Sequence, residues 1–135
     1  MRFILDNNLS PALAKALRAL CEPENIEVRH LKEKFPQNVS DESWINALAD
    51  EGNWAVVTQD RLIKNPLERE ALRRSGLIAF TLSKSWASQR QWAKAVQLIR
   101  WWPRIMEQTG LVEGGAVFEV PWRFGAKGKF RTMKL

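Results

Sequence analysis

The side chains of this sequence whose types and spacing could do chemistry together are carboxylates. Asp6 closes the apolar run Arg2-Phe3-Ile4-Leu5, Asp60 follows Ala55-Val56-Val57-Thr58-Gln59, and Asp41-Glu42 come directly after Ser40 in the stretch between. Acids pressed together repel unless a divalent cation neutralises them, and hard oxygen ligands suit Mg²⁺ or Mn²⁺. Such a cation can activate a water and steady the charge that builds on a phosphodiester during in-line attack. Each acid also has a structural use. Asp6 and Asp60 can end their strands in Asx-turns, and Asp41 and Glu42 suit a first helical turn, where a carboxylate meets the positive end of the helix dipole. The fold decides between the two accounts, because only the first needs the acids in one place.

The elements that must position them are legible as alternating strands and helices. Residues 2–5 are a short apolar run of the buried-strand type. Ser10 is an N-cap and Pro11 a first-turn proline, so Leu13, Ala14, Leu17 and Leu20 predict a helix over 11–21. Residues 26–30 read as a second strand and 32–39 as loop. Ser40 caps a second helix whose apolar face is Trp44, Ile45, Leu48 and Ala49, ending at Gly52. A strand over 54–58, a helix from Pro66 to before Gly76, and a strand over 77–82 follow. The longest helix is predicted over 88–108, with Trp92, Val96, Ile99, Trp102 and Met106 as its core-facing stripe and a kink at Pro103. After Gly114-Gly115 comes a last strand, 116–120. Such alternation predicts an α/β protein, a three-layer α/β/α sandwich with a mainly parallel central sheet. In open parallel sheets ligands bind beyond the carboxyl ends of the strands, which is where Asp6 and Asp60 fall. Residues 1–121 are expected to form the domain, and 122–135 a basic aromatic tail that orders on RNA or an acidic partner.

Composition narrows the classes. At 135 residues and 45% hydrophobic, the chain suits one globular domain. The net charge of +6 is unevenly spread: residues 1–83 hold 11 Lys/Arg against 12 Asp/Glu, and residues 84–135 hold 10 against 3. A basic surface of this kind suits a polyanion, or else an acidic protein. No apolar run approaches the roughly 20 residues that span a bilayer, so no membrane association is expected. Asp6 comes too early for a signal peptide. Cys21 is the lone cysteine, which excludes an internal disulfide and a four-cysteine zinc site, and a cytoplasmic setting is expected.

Three stretches, Phe3-Ile4-Leu5-Asp6-Asn7-Asn8-Leu9-Ser10, Ser40-Asp41-Glu42-Ser43-Trp44-Ile45 and Ala55-Val56-Val57-Thr58-Gln59-Asp60, together resemble the PIN-domain superfamily. The likeness is to its small PIN-like branch, similar to the toxin halves of VapBC-type pairs, and it runs over roughly residues 2–108. The resemblance implies a metal-dependent ribonuclease, the toxin of a toxin–antitoxin pair, with RNA as substrate, Mg²⁺ or Mn²⁺ as cofactor and an antitoxin as partner. It implies Asp6 and Asp60 as metal ligands and catalytic acids, Asp41 as the middle acid with Glu42 its rival, Asn8 as the polar residue after the first acid, and Thr58 orienting the third. PIN nucleases often carry a further acid soon after the third. Arg61-Leu62-Ile63 supplies none here, and Glu68 or Glu70 could substitute.

Arg61 and Lys64, just past Asp60, and Ser83 and Lys84, past the 77–82 strand, are the residues placed to grip substrate phosphates. His30 reads as a structural histidine rather than a base. Trp44, Trp92 and Trp102 fall on core-facing stripes. Trp86, Trp101 and Trp122 do not, and are open to base stacking, an antitoxin or a homodimer interface. The rival functions are a receiver-like signalling domain, with Asp60 as phospho-acceptor and Thr81 as switch residue, and a PIN fold that binds RNA or protein without catalysis.

Overall fold

The computed structural model describes residues 1–60, 66–125 and 127–133. Arg2 and the three apolar residues after it form strand β1 (Arg2–Leu5), and the polar triplet Asp6-Asn7-Asn8 ends it. Ser10 caps helix α1 (Pro11–Cys21) through a bond from Ala12 N–H, and Pro11 occupies the first turn. β2 (Glu27–His30) follows, then a single turn, α2 (Leu31–Lys34), where loop was expected. Its cap is His30, whose side chain accepts from the backbone while Glu33 reaches back, a pattern not visible from the usual capping residues. Ser40 caps α3 (Asp41–Glu51), and Gly52 terminates it at φ 76°. β3 (Trp54–Thr58), α4 (Pro66–Ser75), β4 (Ile78–Leu82), α5 (Gln91–Gly110), β5 (Ala116–Val120) and β6 (Arg131–Met133) complete the order.

The six strands form one sheet in the order β2-β1-β3-β4-β5-β6, parallel except for β6. The side chains of α1 and α5 pack with Phe3, Leu5, Val57 and Phe80 on one face. Those of α3 and α4 pack with Ile4, Val56 and Ala79 on the other. The alternation of Phe3 and Leu5 against Ile4 is the period of two of a strand buried on both sides. The expected three-layer α/β/α sandwich is therefore the fold. The chain moves from β1 outward to β2 and then back past β1 to β3, which makes the β1/β3 boundary the point where strand order reverses.

Three expectations about the second half are corrected. The segment 122–133 is not a free arm. Trp122, Phe124 and Phe130 pack on the core, and β6 pairs antiparallel with β5, Glu119 opposite Arg131. The missed strand is three residues long inside a cationic stretch, too short for alternation to show. The predicted stripe of α5 is found in its second half, where Trp102 is buried and Met106 packs on the core, and not in its first. Leu98, Trp101, Trp102 and Ile105 are buried, whereas Trp92, Val96 and Ile99 are exposed. Trp86 and Trp101 are fully buried, so neither is available for stacking; Trp86 donates its indole N–H to Val120 O at 2.9 Å. The helix continues through Pro103 and ends at Gly110, two residues past its predicted end. The expected fold of five strands and these helices is otherwise found within three residues of its predicted bounds. Among the described residues no helix is long and apolar enough to cross a membrane.

Candidate active site

The register of β1 on β3 sets Leu5 opposite Val57, so the next residues in each strand, Asp6 and Thr58, meet at the carboxyl edge. Asp6 N–H donates to Val57 O at 3.0 Å, extending the ladder by one rung. The Asp6 side chain is only 7% exposed. Its Oδ1 accepts from Asn7 N–H at 2.6 Å and its Oδ2 from the Thr58 hydroxyl at 2.7 Å. The Thr58 oxygen in turn accepts from Asp60 N–H at 3.0 Å, so one buried hydroxyl orients the first acid and the backbone of the last. The resemblance implied that Thr58 orients the third acid, Asp60; the carboxylate its hydroxyl meets is that of Asp6, and it reaches Asp60 only at the backbone N–H.

Burial pushes the Asp6 carboxyl above its ordinary pKa. The bonds from Thr58 and Asn7 pull it down, and the charges of Asp41 and Asp60 push it up again. Those two acids therefore lie near enough to act on Asp6, although Asp41 is 35 positions away in sequence and on another helix. Glu42 is exposed and exerts no such effect. Asp41, in the first turn of α3, accepts the Trp44 indole N–H on Oδ1 at 2.9 Å, so part of its carboxylate is turned back onto its own helix. Among the described residues, no three of His, Cys, Asp and Glu stand close enough to hold one metal ion between them. The donor chemistry suits a hard cation, since each Asp6 oxygen has one donor and a spare lone pair. The spacing falls short of a closed three-acid cage.

The rest of the mouth is tied together by residues that sequence reasoning treated lightly. Asn8 is exposed and its Oδ1 accepts Gln59 N–H at 3.1 Å, which joins the β1 loop to the β3 loop. Gln59 Nε2 reaches Leu82 O at 3.4 Å and Ser83 O at 3.3 Å, carrying the link on to the end of β4. Ser83 and the exposed Lys84 thus stand at the same edge, as expected. Gln59 itself was missed; its position between Thr58 and Asp60 was the only signal. His30 is fully buried: Nε2–H donates to Leu9 O at 2.7 Å and Nδ1 accepts from Lys32 N–H at 3.1 Å. It is structural, as read from the sequence, and it steadies the loop that carries Asn8. Glu70 is engaged by Arg73 and Arg74, both at 2.9 Å, and Glu68 stands in the first turn of α4. Arg61 and Lys64 lie outside the described residues.

Residues 1–84 match a family described as "PIN like domain", a span that contains β1 through β4 and all three acids. No curated protein and no solved structure matches the chain.

Proposed function

Because the chain belongs to the PIN-like domain family, which occurs on a nuclease-type fold, we propose that it is a divalent-metal-dependent endoribonuclease, acting as the toxin of a bacterial toxin–antitoxin pair. The observation that carries this reading is Asp6: a buried carboxylate at the strand-order reversal, disfavoured by burial and by the charges of Asp41 and Asp60. An ion held by Asp6 and Asp60, with Asp41 as third carboxylate, would supply an activated water and charge stabilisation at the phosphodiester. The chain's own residues prepare that site. Thr58 fixes the Asp6 rotamer, Asn8 and Gln59 hold the two loops at a constant separation, and Ser83 and Lys84 offer donors to a phosphate at the neighbouring strand end. The same reading gives RNA as the substrate and an antitoxin as the partner.

The test is cleavage of a labelled single-stranded RNA with Mg²⁺ or Mn²⁺ present. Asp6→Asn and Asp60→Asn should each abolish cleavage with an unchanged circular dichroism spectrum. Undiminished wild-type cleavage in excess EDTA would overturn the metal mechanism. A second reading, a PIN fold that binds without cutting, is favoured by the hold of Trp44 on Asp41; absence of cleavage with either metal, alongside RNA binding, would establish it. The receiver-like alternative shares the β2-β1-β3-β4-β5 order, but its switch residue, Thr81, is buried with its hydroxyl directed to Phe118 O at 3.5 Å. Stable phosphorylation of Asp60 by a small phosphodonor would favour it.

A further inference from the structure

Helix α5 turns large apolar side chains to water. Trp92, Val96 and Ile99, at i, i+4 and i+7, are 84%, 64% and 39% exposed, on the side away from the buried Leu98, Trp101 and Ile105. Leu20, on α1, is 58% exposed. The two helices share one face of the sheet and are joined near the end of α1 by the Trp102 indole N–H to Cys21 Sγ at 3.2 Å. Between their first turns lies a cavity of about 360 Å³, floored by Leu9, Leu13, Ala16 and Ala95 and walled by Trp92. Asn8 also lines it, so it opens beside the acid site.

The charge along the two helices is mainly positive, with Glu22 and Glu24 only past the end of α1. Helix α1 carries Lys15 and Arg18 and no acid; α5 carries Lys94, Arg100 and Arg104 against Glu107 alone. Arg18 pairs with Glu33, and Arg104 lies 3.7 Å from Glu107. Among the described residues, Lys15, Lys94 and Arg100 have no carboxylate within ion-pair distance, in contrast to Arg18 and Arg104.

We infer that the surface between α1 and α5 docks an acidic amphipathic helix of a partner protein, with its apolar face on Trp92, Val96, Ile99 and Leu20 and its carboxylates facing Lys15, Lys94 and Arg100. From Trp92 to Ile99 the stripe extends about 10 Å, the length of two helical turns. A second copy of this chain would set cations on cations, which opposes docking. A nucleobase could use Trp92 and Asn8 but would leave Val96, Ile99 and Leu20 uncovered. A helix seated here ends over Asn8 and closes the mouth of the acid site. That consequence rests on the nuclease reading; the docking itself does not.

The probe is a fluorescein-labelled synthetic helix with leucine at i, i+3, i+4 and i+7 and glutamate at the other positions. A counterpart carries lysine in place of each glutamate. Anisotropy titration of the full chain should show the acidic helix binding, weakening with salt, and exceeding the basic one by at least about tenfold. Trp92→Ala and Ile99→Ala, both on the surface and expected to keep the far-ultraviolet spectrum, should each loosen the acidic helix by about tenfold or more. Failure of the acidic helix to bind, or equal binding by both variants, overturns the proposal. So does a concentration-dependent dimer in sedimentation that Ile99→Glu abolishes, which would make a second copy the occupant. Loss of RNA binding in EDTA by Trp92→Ala, as large as its loss of peptide binding, would make the surface an RNA site and overturns it too. A chain that binds the acidic helix but cleaves no RNA upholds the docking while the nuclease reading fails.

Discussion

Replacing Thr58 by valine removes one hydroxyl from a fully buried position while keeping its branched shape. That hydroxyl donates to Asp6 Oδ2 at 2.7 Å and accepts from Asp60 N–H at 3.0 Å. A hydrogen bond to an ionised group contributes about 1.5–3 kcal/mol, and a neutral backbone bond about 0.5–1.5 kcal/mol. The two are lost together, so Thr58→Val should cost about 2–4 kcal/mol near neutral pH. For 135 residues the unfolding entropy is about 0.28 kcal/mol/K, which converts that loss into a Tm drop of roughly 7–14 °C.

The pH dependence carries the more specific part of this prediction. Burial, Asp41 and Asp60 set the folded-state pKa of Asp6 above its unfolded value, and the Thr58 bond works against them. Between the two values the native chain keeps a proton that the unfolded chain has released, so stability falls as pH rises through that window. Thr58→Val raises the folded value further and widens the window. Its cost must therefore grow from acid to neutral pH, approaching the worth of neutral bonds, about 1 kcal/mol, once Asp6 is protonated. Urea unfolding in EDTA, followed by far-ultraviolet circular dichroism at an acidic and at a neutral pH, follows that growth. Thr58→Ser retains the hydroxyl and should restore the pH behaviour. A loss below about 0.5 kcal/mol at neutral pH, or an equal loss at both pH values, would refute the idea that Thr58 supports an ionised Asp6.

Asp6→Asn should stabilise the metal-free protein at neutral pH, because it removes a charge opposed by burial and by two neighbouring acids; a urea midpoint that stays put or falls would contradict this. Trp44→Phe should lower stability by about 1–3 kcal/mol through the lost indole bond and the smaller ring, yet tighten Mn²⁺ binding in calorimetry by releasing Asp41 Oδ1. Unchanged or weaker Mn²⁺ affinity would show that Trp44 does not hold Asp41 back. Gly128→Ala should cost about 1–2 kcal/mol in urea unfolding, since φ is +58° and the added Cβ would lie 2.9 Å from Phe124 Cζ; a neutral effect would mean that the turn yields freely.

Apart from the single turn α2, the strands and helices described within the first 82 residues were legible because local signals and global fold agree there. Asp6 and Asp60 could be placed at one edge because a parallel sheet aligns strand ends, and the pairing of Leu5 with Val57 does so. What the sequence could not supply was direction at the level of single side chains. Nothing local separates Asp41 from Glu42, since both are first-turn acids. Only the packing of α3, with Trp44 buried beneath it, ties Asp41 to the Trp44 indole with its charge felt by Asp6, and leaves Glu42 in water. Helix α5 shows the converse failure. Its apolar residues are so numerous that two different stripes satisfy helical spacing, and periodicity has no means to choose between Trp92-Val96-Ile99 and Leu98-Trp101-Trp102-Ile105. The tail misled for a third reason: Trp122, Phe124 and Phe130 are separated by cations. Arg100 and Arg104 from α5 stack over Phe124 and Phe130, an arrangement between remote segments that composition does not reveal.

The two accounts of Asp6 can now be weighed against each other. An Asx-turn explains the bond from Asn7 N–H to Oδ1, and an asparagine in that place would make it equally well. It does not explain why the second oxygen is met by a fully buried hydroxyl, nor why two further acids lie within reach of the first. A carboxylate kept where burial and like charge oppose its ionisation weakens the fold relative to a neutral amide. Without a cation the arrangement is a cost with no return; with one, the same repulsion becomes binding energy. The geometry adds a condition. On the nuclease reading, an ion shared by all three acids would compete with the Trp44 indole for Asp41 Oδ1, which would link metal affinity to that bond. Asn8 lines both this mouth and the groove between α1 and α5, so on the nuclease reading a helix seated in that groove would stand beside the approach to the acids.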